Sequence, residues 1–283
     1  MSTPDNTFSE PYPVCLTIAG SDSGGGAGLQ ADLRAFRHFR VHGCTAITAV
    51  TAQNPLRVAA VQPVAADILR AQLDCVADAF ALAAVKTGML ADAERVRVVA
   101  DFLPRLAGVP FVVDPVMVAT SGARLLAPDA IGLLRECLLP AATLVTPNLP
   151  EAELLLGRSL APGDYPAAAR ALHERFGAAI LLKGGHDPEH PADDFLCEAN
   201  GTLWRLSAPA VLHPLTTHGT GCTLSAAIAA NLARRRPLLE AVRRAKGWLL
   251  ALLSAGVPAG RAAVYGDAPE DGEPDAVAVQ RLD

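Results

Sequence analysis

No two cysteines in this 283-residue chain are spaced as a metal or redox motif. The six (Cys15, Cys44, Cys75, Cys137, Cys197 and Cys222) are scattered, with no CxxC pair and no His/Cys ligand spacing. That excludes a zinc-ribbon or thioredoxin-like site and predicts reduced thiols. No run of about 18 apolar residues occurs, so no helical membrane span is expected. Residues 1–13 are polar and carry acidic side chains. They lack the basic start and apolar stretch of a secretory signal, which predicts a cytoplasmic protein. The net charge of −5 offers no general attraction for nucleic acid. Aromatics are only 5%, so the core must be built from Ala, Leu and Val. A GxxxxGK[ST] phosphate loop is missing, so any ATP is held by another architecture. Lysine is scarce: Lys86, Lys183 and Lys246 stand alone, while arginine supplies the other 21 basic residues. These three are expected where a compact ammonium fits and a planar guanidinium does not.

What is present alternates between strand-like and helix-like segments. An apolar strand over 14–19 runs into the glycine stretch 20–28, and a helical pattern follows over 29–39, with Leu29, Leu33 and Phe36 on its apolar face. Strand, glycine loop and helix is the layout of a ligand site in an α/β protein. Further strands are predicted over 44–53, 58–64, 84–89, 111–116, 143–147 and 178–186. Helices are predicted over 67–80 (Ile68, Leu69, Leu73 and Val76 inward), 92–106, 128–139, 166–176, 223–233 and 238–253, with another after Asn148. Residues 119–122 read as a small polar loop. Asn200-Gly201 predicts a hairpin between 193–198 and 203–206. Near-continuous apolar strands alternating with helices imply an α/β fold with a mainly parallel sheet covered on both faces. One domain is expected over 14–255, after an N-terminal extension over 1–13. An acidic Gly/Pro-rich tail over 256–283 is predicted to be partly mobile.

The stretch Thr217-His218-Gly219-Thr220-Gly221-Cys222 opens the helix of 223–233. Its glycines allow a tight bend and close approach to a ligand. The first N–H groups of the helix lack partners and carry partial positive charge, which suits a phosphate or a transferring phosphoryl group. A plain glycine-rich helix entry with a small buried Cys fits the same six residues.

Seven ordered motifs separate these readings. They are the stretch from Ala19-Gly20-Ser21-Asp22 to Gln30-Ala31-Asp32, Thr48-Ala49-Val50-Thr51-Ala52-Gln53-Asn54, Lys86-Thr87-Gly88-Met89-Leu90, Asp114-Pro115-Val116-Met117, Thr146-Pro147-Asn148-Leu149-Pro150-Glu151, Lys183-Gly184-Gly185-His186 and the Thr217–Cys222 stretch. Over about 14–254 the chain resembles the hydroxymethylpyrimidine/phosphomethylpyrimidine kinases of thiamine biosynthesis, within the ribokinase-like superfamily. The resemblance implies a three-layer α/β/α sandwich without a separate lid domain. It implies ATP-dependent phosphorylation of 4-amino-5-hydroxymethyl-2-methylpyrimidine to the monophosphate and then the diphosphate. It also implies Mg²⁺ with ATP, leaves room for a monovalent cation, and implies a homodimer, as many members are dimers.

Carried over by position, Gln53 reads the pyrimidine edge, since a carboxamide offers donor and acceptor together. Gly20, Met89 and Val116 line the pyrimidine, and Asp32 lies near its hydroxymethyl group. Glu151 and Asp114 hold Mg²⁺, through water because that ion dehydrates reluctantly. Asn148 and Thr220 bind phosphate, and Lys183 and Lys246 supply counter-charge. Gly219 and Gly221 shape the anion hole. Cys222 takes the place of the base that sugar kinases supply as Asp. Its thiol pKa would be lowered by the helix N-terminus and nearby lysine, so Cys222→Ala should harm the first phosphorylation more than the second. Lys86 has no assigned role, and no metal role is expected for His213 or His218. The chain departs from the family at Asn54-Pro55 and in 258–283. The alternatives are a pyridoxine/pyridoxal kinase, which also takes a hydroxymethyl heteroaromatic, and a non-catalytic ligand-binding regulatory protein.

Overall fold

A computed structural model describes residues 12–118, 125–161, 163–184, 192–211, 214–268 and 274–282. The loop expected over 119–122, most of the 1–13 extension, Gly185, His186 and His213 lie outside them.

The strands are β1 (Val14–Asp22), β2 (His42–Asn54), β3 (Arg57–Pro63), β4 (Leu82–Thr87), β5 (Phe111–Val113), β6 (Leu144–Val145), β7 (Ala179–Lys183), β8 (Asp194–Cys197), β9 (Leu203–Ser207), β10 (Val257–Ala259), β11 (Ala262–Val264) and β12 (Ala278–Arg281). The helices are α1 (Gly28–His38), α2 (Ala66–Ala79), α3 (Ala93–Phe102), α4 (Pro128–Leu133), α5 (Leu149–Leu156), α6 (Tyr165–Phe176), α7 (Thr220–Ala233) and α8 (Leu238–Ser254). Among the described residues one ten-stranded sheet runs β12-β9-β8-β7-β6-β5-β4-β1-β2-β3. Its centre, β7 through β2, is parallel, and β3, β8, β9 and β12 add antiparallel edges.

Strand residues alternate between two cores, as the two-residue period requires. Leu16, Ile18, Val85, Val113, Val145, Ile180 and Leu182 meet α2 to α6. Cys15, Ala84, Val112, Leu144, Ala179 and Leu181 meet α1, α7 and α8. With both faces covered the strands must be apolar throughout, so their sequences read as runs. The result is the expected three-layer α/β/α sandwich, and no separate lid stands over it among the described residues.

Ile68 was expected inside but is 52% exposed, and Leu33 is 38% exposed. Leu69 and Leu73 carry the inner face of α2 alone as buried residues. The helix expected over 92–106 tightens to 3₁₀ geometry at Leu103–Leu106, where Pro104 has no N–H to give. That expected over 128–139 widens into a π turn at Leu134–Leu138 before Pro140. The tail is also more structured than its composition predicts. β10 and β11 form a hairpin, and β12 pairs antiparallel with β9 while Val277 is buried against α8's core.

β1 is the strand at which the order reverses, with β2 on one side and β4 on the other. Such a switch point leaves a crevice beyond the carboxyl ends of the strands. Asp22, Asn54, Thr87, Asp114, Asn148 and Lys183 all stand at those ends.

Candidate active site

Two glycine loops meet above the crevice. Gly219 caps α7 with φ 81°, and a Cβ there would collide with the Gly26 carbonyl. Only glycine serves both needs at once. The first turn of α7 therefore stands against the loop that opens α1. No side chain caps α7, which leaves its first-turn N–H groups for a ligand. The Thr220 hydroxyl donates back to the Thr217 carbonyl (3.1 Å) and firms this turn.

Lys183 lies beside that turn: a Cβ on Gly221 would sit 3.3 Å from Lys183 Nζ and 3.8 Å from Asp114 Oδ2. The ammonium donates to Asp114 Oδ1 (3.2 Å), which also accepts from the Thr146 hydroxyl (3.2 Å). Ser225 Oγ lies 3.2 Å from Asp114 Oδ2 and 2.9 Å from the Gly221 carbonyl, either of which can accept its proton. Asn148 and Glu151 form a reciprocal capping box on α5: the Asn148 N–H donates to Glu151 and the Glu151 N–H to Asn148, each at 2.9 Å. The Glu151 carboxyl is pushed up to about 7 by burial, opposed by Lys183, reinforced by Asp114, and opposed again by the N–H groups of Asn148 and Met117. For Lys183, burial works against the charge, but Asp114 and Glu151 outweigh it and raise its pKa. Sequence reasoning gave no role to Thr146 or Ser225; a hydroxyl bonding to an aspartate tens of residues away leaves no local signal.

No cluster of three His, Cys, Asp or Glu able to hold a metal occurs among the described residues. Asp114 and Glu151 are two buried carboxylates whose oxygens are already partly engaged. That oxygen-only donor set, too small for an all-protein cage, fits a Mg²⁺ ion that keeps waters and phosphate oxygens.

Cys222 occupies the first turn of α7, near the Gly28 N–H that begins α1. Despite these dipoles its thiol is pushed up to about 11. Burial dominates, Lys86 opposes it, Asp32 and Asp114 add to it, and the Gly28 N–H again opposes. The lowered pKa expected from the sequence is therefore not what these surroundings give.

Lys86, unassigned from sequence, has no exposed surface and donates to both oxygens of Asp32 at 2.9 Å. Thr17 Oγ1 donates to Asp32 Oδ2 (2.6 Å). Burial opposes the Lys86 charge, but Asp32 overrides it and keeps the pKa raised. Asp32 was expected beside the substrate. It is instead wholly buried, with both oxygens taken by Lys86 and Thr17. Lys246 was expected at the phosphates. Its ammonium donates to Asp194 Oδ2 and the Ala192 carbonyl, both at 2.6 Å. Asp194 Oδ1 in turn accepts from the Gly184 N–H (3.0 Å), so Lys246 fixes the end of β7 and start of β8.

On the other side of the crevice Gly20 abuts Met89, whose sulfur would be 3.1 Å from a Cβ there. The Met89 carbonyl accepts from the Thr48 hydroxyl (2.6 Å). Val116 is half-buried, two residues past Asp114. Gln53 is tied by its backbone to Ser23, whose hydroxyl donates to the Gln53 carbonyl (2.7 Å) and accepts from its N–H (2.8 Å). Asp22 Oδ2 accepts from His218 Nε2 (2.8 Å) and the Ala27 N–H (2.8 Å), and Oδ1 accepts from the Gly24 N–H (2.8 Å). Burial alone would raise the Asp22 pKa; His218 and those two N–H groups hold it below the usual carboxylate value. His218 thus joins the two glycine loops, a role its isolation in sequence did not suggest.

Comparison with known proteins matches residues 22–266 to the family described as phosphomethylpyrimidine kinase. The hydroxymethylpyrimidine/phosphomethylpyrimidine kinase of Rhizobium meliloti is 51% identical over 245 residues, covering 86% of this chain and 91% of that one. Among solved structures, an ADP complex of Bacillus subtilis pyridoxal kinase superposes with TM-score 0.82 at 36% identity, covering 90% of this chain and 97% of that one. The phosphomethylpyrimidine kinase of Clostridium difficile 630 gives TM-score 0.73 at 36% identity, over 84% and 98%. The glycine turn that opens α7, with Lys183, Asp114 and Glu151, thus stands on a chain that belongs to the phosphomethylpyrimidine kinase family.

Proposed function

We propose that this kinase transfers the γ-phosphoryl group of ATP to the hydroxymethyl oxygen of 4-amino-5-hydroxymethyl-2-methylpyrimidine, and then phosphorylates the monophosphate in the same site. The observation that carries the reading is the meeting of Lys183 with the first turn of α7, beside Asp114. Phosphoryl transfer requires chiefly positioning and charge neutralisation. In our reading the N–H groups of the first turn of α7 and the Lys183 ammonium receive the transferring group. Gln53, Gly20, Met89 and Val116 hold the ring, and Asn148 and Thr220 reach phosphate oxygens. Mg²⁺, held by Glu151 and Asp114 through water, would neutralise phosphate charge when bound. Lys246 acts at a distance by fixing the β7 end on which Lys183 sits. The cleft lined by Val211, Leu250, Ser254 and Ala276 is our assignment for adenine.

The acceptor oxygen bonds to phosphorus, the bond to the ADP oxygen breaks, and the hydroxyl proton leaves to solvent or phosphate. At pH 7 a thiol with a pKa of about 11 is thiolate in roughly one molecule in 10⁴. Cys222 is accordingly a small neutral wall of the anion hole. Cys222→Ala is expected to slow either step by less than about tenfold, whereas loss of a general base costs roughly 10²–10⁴-fold. Separate assays of the two steps decide, and a large loss confined to the first step restores the base.

Glu151 gives a pH dependence. Its folded pKa of about 7 lies above the ordinary 4.5, so the empty protein holds a proton there that the unfolded chain releases. Stability from this group is present below about 4.5 and is lost as pH rises toward 7. A cation needs the carboxylate, so Mg²⁺ binding should tighten up to about pH 7, release a proton, and level off above it. Calorimetry with Mg²⁺ and a non-hydrolysable ATP analogue checks this. Glu151→Gln should bind more weakly with no such pH dependence; an unchanged slope in that variant contradicts the assignment.

A pyridoxal kinase reading draws support from the likeness to solved pyridoxal kinases, the Bacillus subtilis enzyme among them. The higher identity to pyrimidine kinases favours the first reading. Membership of a kinase family sets the regulatory reading aside. Ligand-dependent ADP release tests the choice: pyrimidine should support turnover better than pyridoxal, and the reverse order overturns it. We further read one kinase domain over 14–255, cytoplasmic and homodimeric. The exposed Val50, Leu56 and Val61 around the β2–β3 hairpin support the homodimer. No helix among the described residues is long and apolar enough to cross a membrane.

A further inference from the structure

The contacts of the Gln53 amide contain a contradiction that only one arrangement resolves. Its nitrogen lies 3.5 Å from His218 Nε2, and its oxygen lies 3.4 Å from Thr51 Oγ1. His218 Nε2 is 2.8 Å from Asp22 Oδ2, so that nitrogen carries a proton and donates it to the carboxylate. Thr51 has one hydroxyl proton and gives it to the Ser21 carbonyl at 2.8 Å. The amide N–H₂ therefore faces a donor, and the amide oxygen faces lone pairs. Turning the amide over makes both contacts attractive: the nitrogen donates to Thr51 Oγ1, and the oxygen shares the His218 proton.

His218 cannot relax instead. Asp22 is buried and anchored by the Gly24 and Ala27 N–H groups. The imidazole lies against Gly26 so closely that a Cβ there would collide with its Cδ2. The proton on Nε2 is thus a fixed feature of the pocket wall.

We propose that His218 is a positioning residue that determines ring specificity. Held by Asp22 and Gly26, it fixes the Gln53 amide with its oxygen on the His218 side and its nitrogen on the Thr51 side. The pocket then accepts a heteroaromatic ring with an amino donor on the His218 side and a ring-nitrogen acceptor on the Thr51 side. A ring with an acceptor on the His218 side, such as a pyridine bearing a phenolate, meets the amide oxygen and is disfavoured. This rests on the pyrimidine-kinase reading and names what enforces its selectivity.

The test is kcat and KM for the hydroxymethylpyrimidine and for pyridoxal in the parent, His218→Leu, His218→Gln and Gly26→Ala. His218→Leu and Gly26→Ala should raise the pyrimidine KM about tenfold, more than they change kcat, and cut the pyrimidine-over-pyridoxal ratio of kcat/KM by a similar factor. His218→Gln places an N–H near the same point and should recover most of both. Equal losses for both ligands, or no recovery with Gln, overturn the proposal. A parent enzyme with no pyrimidine turnover sinks the functional reading instead. In that event side-chain NMR of the ligand-free protein still decides the positioning. His218 should be the Nε2–H tautomer, and the Gln53 amide signals should move in His218→Leu; unmoved signals refute it.

Discussion

Lys183→Met is expected to lower kcat of both phosphorylation steps by on the order of 10³-fold, with a smaller change in KM for the pyrimidine. Removing one preorganised donor from a developing anion costs roughly 10²–10³-fold, and a cation on a transferring phosphoryl group is worth 10³–10⁵. Lys183 is the cation placed against the first turn of α7, where a Cβ on Gly221 would stand 3.3 Å from its Nζ. Lys183→Arg should restore little. A planar guanidinium is larger than an ammonium, and Asp114 already occupies the adjoining space. Steady-state kinetics with mass detection of each product measures the effect. A loss below tenfold in the methionine variant would mean that the phosphoryl group is received elsewhere.

Lys86→Met is expected to destabilise the fold by about 3–5 kcal/mol, because it leaves the Asp32 carboxylate buried without its ion-pair partner. Both side chains have no exposed surface, and Thr17 alone would remain to satisfy Asp32. For a chain of this size that corresponds to a fall in melting temperature of roughly 5–8 °C. Replacing both members, Lys86→Met with Asp32→Leu, should recover most of the loss, since a buried pair can be exchanged for apolar side chains at small net cost. Thermal unfolding of the two single variants and the double variant gives the coupling directly. A single Lys86→Met variant as stable as the parent would show that Asp32 is neutral and the pair is not ionic.

The three lysines show how far sequence reasoning reaches. Their scarcity predicted sites where an ammonium is required, and each is paired with an aspartate: Lys86 with Asp32, Lys183 with Asp114, Lys246 with Asp194. The sequence could not say which aspartate, because partners come from different strands and helices tens of residues apart. That is why Asp32 and Lys246 were expected at the ligand and are found in buried ion pairs. The raised pKa of the Cys222 thiol escaped the sequence for a related reason. Helix position argues for a lowered pKa, but burial and the carboxylates Asp32 and Asp114 are visible only once the chain is folded.

The fold was more legible, since strands covered on both faces must be apolar at every position. β12 was missed because its strand, Ala278–Arg281, is short, polar at its end and set in an acidic tail. Ile68 was misplaced because helical spacing does not tell which of two adjacent apolar residues, Ile68 or Leu69, faces the sheet.

The most direct test of the function is to incubate the purified protein with MgATP and 4-amino-5-hydroxymethyl-2-methylpyrimidine, in parallel with pyridoxal, and to follow products by mass over time. The expected result is pyrimidine monophosphate appearing first and diphosphate accumulating at its expense, with one ADP formed per phosphoryl transferred. Pyridoxal phosphate as the dominant product, with no pyrimidine mono- or diphosphate, would contradict it.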